Sequence, residues 1–320
     1  MEEDLQAGET RSYAISARIL STRPHPISGA EFQRLSQAAE DLLACLNLEE
    51  AYEVVILNYV SLEKAMVSAV VDFMVDRRSS RPSYDRARRE IDRQLVNLVA
   101  SGEMYAEHVS KTVRRLQRAN RQRGIHIEAA QIDEAFKEQR TRLVGMRAVE
   151  ALRNHVLHLS LPVSGWTQNN AWIGDDPASK LRHSFSVDFS ASRLRADRQV
   201  SPQLIEELKD RADKNGRIPW LPVVREYIEG LSYAHAAVRK CLGPLEVGAE
   251  ALIAEAIAAY RMATSMPDET KGAMGVAEID GEGRWVSEVS IDFDYQARVE
   301  DMRSRNRAPL VNLRRREILG

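Results

Sequence analysis

One short run of this chain concentrates reactive side chains: Arg153-Asn154-His155-Val156-Leu157-His158. Histidine takes and returns a proton near neutral pH, and arginine holds a phosphate and offsets its growing negative charge. With an amide to orient them, these groups suit attack on a phosphodiester, and RNA brings its own nucleophile in the 2′-hydroxyl. Such a reaction needs no metal ion and leaves a 2′,3′-cyclic phosphate. On an ideal helix, at about 100° per residue, Asn154 and His158 share a face, whereas Arg153 stands about 140° from His158. One helix end therefore does not assemble all three. Either the last turn distorts, or a second copy of the chain completes the site across a two-fold axis. A metal reading would pair His155 and His158 with Glu150, but that set is short of ligands.

Other residues admit a chemical and a plain reading side by side. Lys111, Arg114, Arg115, Arg118, Arg121 and Arg123 follow one another with no acid between them. They suit an RNA backbone, or they are a solvated helix face. Trp166 and Trp172 flank a polar stretch just after the run and offer rings for base stacking, or they cover the core. His235 lies between Leu231 and Val238 on an apolar stripe, the setting of a core histidine. The arginines near the end, among them Arg303, Arg305 and Arg307, touch RNA or a partner, or keep that end solvated. Neither a Walker-type phosphate loop nor a Gly-x-Ser-x-Gly elbow occurs, which disfavours nucleotide hydrolysis and α/β-hydrolase chemistry.

The elements that must position these residues are helices. Only 16 Gly and 11 Pro occur in 320 residues, a balance that predicts a mainly α chain, and 44% hydrophobic content can fill a core. The net charge of -2 spreads over 29% charged residues, so any nucleic-acid surface must arise from local clusters. Cys45 and Cys241 sit in apolar helical settings and suggest neither a disulfide framework nor a thiolate site, which fits a reducing compartment. The acidic first ten residues hold no apolar leader, and no stretch reaches ~18 uninterrupted apolar residues; a cytoplasmic protein, neither secreted nor membrane-spanning, is expected.

Apolar steps of three and four predict a helix from Ser28 to about Leu46 and a second along Leu48, Tyr52, Val55, Tyr59, Leu62, Met66, Val70 and Phe73. A third, with Pro82 in its first turn, carries Ile91 to Leu116 on one face and closes at Gly124. A fourth spans roughly Ala129 to Leu159, so the reactive run occupies its last turns. Alternation from Tyr13 to Ile19 predicts a short strand, and residues 163–198 read as a loop with one or two short strands. Helices resume at 201–213, from Pro219 to Leu242 and at 247–263, before a hairpin that turns at Asp280-Gly281-Glu282-Gly283. Long amphipathic helices with short connections imply antiparallel neighbours whose apolar faces fill the bundle, leaving a dimer surface to the end of the motif helix.

The run resembles the signature of HEPN domains: an arginine, a polar residue and, four to six positions on, a histidine at the end of a late helix, here Arg153, Asn154 and His158. The resemblance covers about residues 30–160. It implies a HEPN-like antiparallel helical bundle over 28–162, to which the chain adds a loop with short strands over 163–200 and a helical extension with a small C-terminal β-hairpin and basic tail over 201–320. Many HEPN members are metal-independent ribonucleases that act as dimers in toxin, anti-phage or RNA-processing roles, and others are inactive binding partners. The expectation is therefore an RNA endonuclease with His158 as general base or acid, Arg153 on the phosphate and Asn154 orienting the pair. RNA contacts are expected from His155, Arg114, Arg115, Arg118, Arg121 and Trp166. No metal or cofactor is expected; a homodimer and a regulatory protein partner are. The alternative is a non-catalytic HEPN-like helical adaptor.

Overall fold

The computed structural model describes residues 11–17, 24–75, 81–158, 163–174, 180–190, 200–265, 274–282, 284–292 and 294–315, with the backbone alone at 81–82, 154–158 and 314. The chain is mainly helical with small antiparallel sheets. Its helices are α1 (Gly29–Val75), α2 (Arg81–Arg121), α3 (Ala129–Arg142), α4 (Val144–His158), α5 (Pro202–Lys209), α6 (Trp220–Thr264) and α7 (Tyr295–Arg305). Its strands are β1 (Ser12–Ala17), β2 (His25–Ile27), β3 (Gly165–Ile173), β4 (Lys180–Ser190), β5 (Arg217–Pro219), β6 (Met274–Ile279) and β7 (Trp285–Ile291).

Three boundaries differ from the sequence expectation. The two helices expected on either side of residues 46–48 are one, because α1 holds neither Gly nor Pro after its first residue. The helices expected to break near Gly243-Pro244 are also one: α6 carries Pro244 in its interior. The single helix expected from Ala129 to Leu159 is two, since Leu143 is extended (φ -120, ψ 114) while its N–H still donates to the Gln139 carbonyl at 2.9 Å. The region expected to be mostly loop instead forms a long hairpin, β3 pairing with β4 from Gly165↔Asp188 to Ile173↔Lys180.

The described chain divides into two compact units. Unit 1 draws on Met1–Glu49, Arg115–Ile127 and Leu242–Arg305, and unit 2 on Glu50–Arg114, Glu128–Cys241 and Asn306–Gly320. These units are divided by contact, whereas the ranges 28–162, 163–200 and 201–320 follow chain order.

In unit 1 the sheet runs β2-β1-β6-β7, all antiparallel, with β1 against β6 from Ser12↔Ile279 to Ala17↔Met274. Its buried acids have partners, as the cost of burying a charge requires. Fully buried Asp41 accepts from Gln37 at 3.0 Å, Asn120 at 3.1 Å and Arg123 at 2.9 Å. Arg303 bridges Glu49 at 2.8 Å and Glu246 at 2.9 Å, and Glu246 also accepts from the Tyr295 hydroxyl at 2.7 Å. Arg123 and Arg303 are thereby structural cations. Burial pushes the Cys45 thiol well above its usual range, with Glu246 adding to the shift.

In unit 2, α1 runs antiparallel to α2, for Tyr52 packs on Tyr105 (5.7 Å between centroids) and Phe73 on Tyr84 (4.4 Å). It runs antiparallel to α6 as well: Tyr52 stacks on His235 at 3.9 Å, and Glu63 binds Arg225 at 2.7 Å. His235 is buried, and its Nδ1 shares a 2.7 Å hydrogen bond with the Tyr105 hydroxyl; it is the core histidine that its apolar stripe predicted.

Candidate functional site

Helix α4 carries the reactive run, and its sequence explains its seat. Met146, Val149 and Leu152 recur at steps of three and are buried, so one face is fixed against the core. At the first turn, the Gly145 N–H donates to the buried Glu226 carboxylate at 3.0 Å, where acid favours a helix N-terminus, and Arg211 balances that acid at 2.9 Å. The helix continues through His158 without a break. The ideal separation of about 140° between Arg153 and His158 is therefore retained. The side chains of Asn154, His155 and His158 lie outside the described residues; the backbone places all three in the last turns of α4.

Just beyond that end, the Val163 N–H donates to Oδ1 of Asp92 on α2 at 2.9 Å. Asp92 is buried, and burial raises its carboxyl above the ordinary range, against the pull of this N–H and of Arg88. Its other oxygen, Oδ2, makes no hydrogen bond among the described residues. Asp92 thus ties the chain leaving the run to α2.

Arg153 is half-buried and ion-paired with Glu103 of α2. One turn earlier on α4, Glu150 takes Arg140 of α3 at 2.9 and 3.0 Å. Burial raises the Glu150 carboxyl, with the Arg140 charge opposing it, and burial likewise pushes up the Tyr227 hydroxyl, which feels both Glu150 and Glu103. The inner side of the helix end is thus two acids balanced by two arginines around a buried phenol.

Of the other expected contacts, Arg114, which lies 3.7 Å from Asp133, and Arg115, Arg118 and Arg121 are exposed cations along the last turns of α2. Trp166 stacks on Tyr84, 4.0 Å between centroids and 5° between planes, with Phe185 further off at 6.5 Å. The ring face toward Tyr84 is occupied, which favours the covering role over base stacking. Trp172 is 69% exposed near the tip of the β3–β4 hairpin.

Glu103, Arg140, Tyr227 and Asp92 escaped the sequence reading. Only Glu150, three residues before Arg153 on the same helix, leaves a local spacing to find. Among the described residues no group of three or more His, Cys, Asp or Glu is placed to hold a metal ion. Compared with protein-family models, with curated proteins and with solved structures, the chain matches none.

Proposed function

We propose that this chain is a metal-independent RNA endonuclease of HEPN type, acting in the cytoplasm as a dimer, in a toxin or anti-phage setting. The observation that carries the reading is the end of α4: an unbroken helix brings the run to its last turns, and Glu103 holds Arg153 there. His158 takes the proton of the RNA 2′-hydroxyl, the 2′-oxygen attacks phosphorus, and the bond to the 5′-oxygen breaks as that oxygen receives a proton. Arg153 stabilises the charge on the non-bridging oxygens, and Asn154 orients the pair. Because Arg153 and His158 stand about 140° apart on one helix, this reading draws the Arg153 and His158 of a given site from different copies.

The test is incubation of the purified protein with mixed RNA in EDTA. Cleavage is expected, and Arg153→Ala and His158→Ala are each expected to lower it about 100-fold or more. A mixture of the two variant chains should recover part of the activity. Cleavage that needs a divalent metal, or that survives both substitutions, overturns the reading.

A second reading has its own support: Arg153 already serves Glu103 and Trp166 already serves Tyr84, both structural roles. It makes the chain a helical adaptor that turns over no RNA and holds a regulatory protein in a complex stable enough to purify.

A further inference from the structure

The last turns of α2 carry a row of cations with no acid among them. Between Glu107 and Glu128 the sequence holds no acidic residue, while Lys111, Arg114, Arg115, Arg118 and Arg121 all fall there. At about 100° per residue these five lie within an arc of about 120°, on the side of the helix opposite buried Val109, Val113, Leu116 and Asn120. All five are exposed. Lys111 is paired with Glu107 at 2.7 Å, and Arg114 lies 3.7 Å from Asp133 of α3. Arg115, Arg118 and Arg121 have no ion pair and no hydrogen bond among the described residues.

Such a row works against its own helix. Lys111 stands one turn from Arg114 and Arg115, and Arg118 one turn from Arg114, Arg115 and Arg121, like-charge neighbours that weaken a helix. The dipole at the helix C-terminus offsets this for Arg118 and Arg121 in the last turn, and not for the cations before them. A face that is only solvated interleaves both signs, as α2 does earlier, where Glu90 holds Arg93 at 2.6 Å. Uncompensated cations on a solvent face call for an anion from outside the chain.

We propose that this face of α2 is a track for the phosphate backbone of single-stranded RNA. Four of its five cations are arginines, whose planar fork takes two phosphate oxygens at once. The row runs about 15 Å along the helix, and a single row follows one strand where a duplex would present two. Beyond Met104 no large apolar side chain of α2 is exposed, so the face lacks the apolar anchors by which a helix enters a lipid surface or a protein groove. Contacts of this kind fix the position of a strand and carry no sequence information. The acids Glu107 and Glu103 lie on the same face one and two turns before Lys111 and end the track. Glu103 is the partner of Arg153, which places that end about 12 Å along α2 from the level of the reactive run.

The choice of RNA over DNA rests on the cleavage reading of the 153–158 run; the binding of a phosphate chain to α2 does not. The probe is therefore a short fluorescent 2′-O-methyl oligouridylate, which has no 2′-hydroxyl to attack, so that binding is read apart from cleavage. Loss of RNA cleavage with this binding intact counts against the chemistry of the run alone.

By fluorescence anisotropy on the full chain, affinity should fall about 20-fold between about 50 and 200 mM salt, the loss for three phosphates at a slope of about 0.7 each. A chain carrying Arg115→Gln, Arg118→Gln and Arg121→Gln should bind about 100-fold more weakly at the lower salt and lose most of that slope. Its circular dichroism should be unchanged and its melting temperature no lower than wild type, because like charges have been removed. Arg118→Lys keeps the charge and should keep the slope while losing part of the affinity. Lys214→Gln, in the exposed turn before β5, should change neither. A wild-type chain that does not bind, a slope unchanged in the triple variant, an equal loss in Lys214→Gln, or tighter binding to an RNA duplex, an acidic peptide or phosphatidylserine vesicles than to the oligouridylate would each overturn the proposal.

Discussion

Glu103 decides how Arg153 meets an anion, since the two side chains are paired and both are about one-third exposed. On the proposed reading, replacing the acid by its amide removes a negative charge from beside the phosphate. Glu103→Gln is therefore expected to tighten RNA binding in an electrophoretic shift assay, at a stability cost of about 1 kcal/mol or less for so exposed a pair. A weaker complex would argue that Glu103 orients Arg153 more than it competes with RNA. Asp92 makes a second case. Its carboxyl is raised by burial, so the protonated form is the one the fold favours. That advantage is complete below the unfolded value near 3.9 and is lost as pH rises through the raised folded value. Asp92→Asn keeps an oxygen for the Val163 N–H and removes the charge. Urea denaturation should find the variant more stable than wild type at pH 7 and the two converging as the pH falls toward 3.9; a variant less stable at pH 7 would show that the charge itself is used. The reactive run was legible in the sequence because its residue types crowd into six positions. Glu103 and Asp92 were not, because a contact across two helices leaves no spacing to read.

Glycines set how closely α4 approaches α6. A Cβ on Gly145 would fall 2.5 Å from the Glu226 Cβ and closer still to the Val223 carbonyl oxygen, whereas one on Gly230 would meet the Met146 side chain at 2.6 Å. Backbone cannot yield and a methionine can. Gly145→Ala should therefore lower stability by about 1–3 kcal/mol despite the roughly 1 kcal/mol that alanine gains in a helix, and Gly230→Ala should cost less. Equal losses in chemical denaturation would count against this picture of the α4–α6 contact. At this scale the sequence conveyed the helices and misplaced their ends. Leu143 keeps the apolar period while its backbone turns extended, and so hides the α3–α4 break. Pro244 signals a break that α6 does not make. In β3, Thr167, Asn169, Asn170, Ala171 and Trp172 are exposed, so a strand with little buried alternation looked like loop.

For the molecule as a whole, local patterns announced the β6–β7 hairpin, whose strands turn over a few residues, but not the pairing of β1 with β6, which joins segments more than 250 residues apart. The apolar face expected of α1 is buried at Leu48, Tyr52, Val55, Tyr59, Leu62, Met66 and Phe73, whereas Leu57, Val67, Val71 and Met74 on the same helix are exposed. The division into two units has one more property. Three of its five borders, 49/50, 114/115 and 241/242, fall inside α1, α2 and α6, and each unit is assembled from three separate stretches of chain. Modular proteins exchange parts when a gene segment bounded by linkers is copied elsewhere and still encodes something that folds. No single segment of this gene encodes either unit, and a cut at any of those three borders severs a helix in mid-turn, leaving N–H and C=O groups without their i, i+4 partners. The two units are therefore heritable only together, and insertions are expected to be tolerated in surface turns rather than inside α1, α2 or α6.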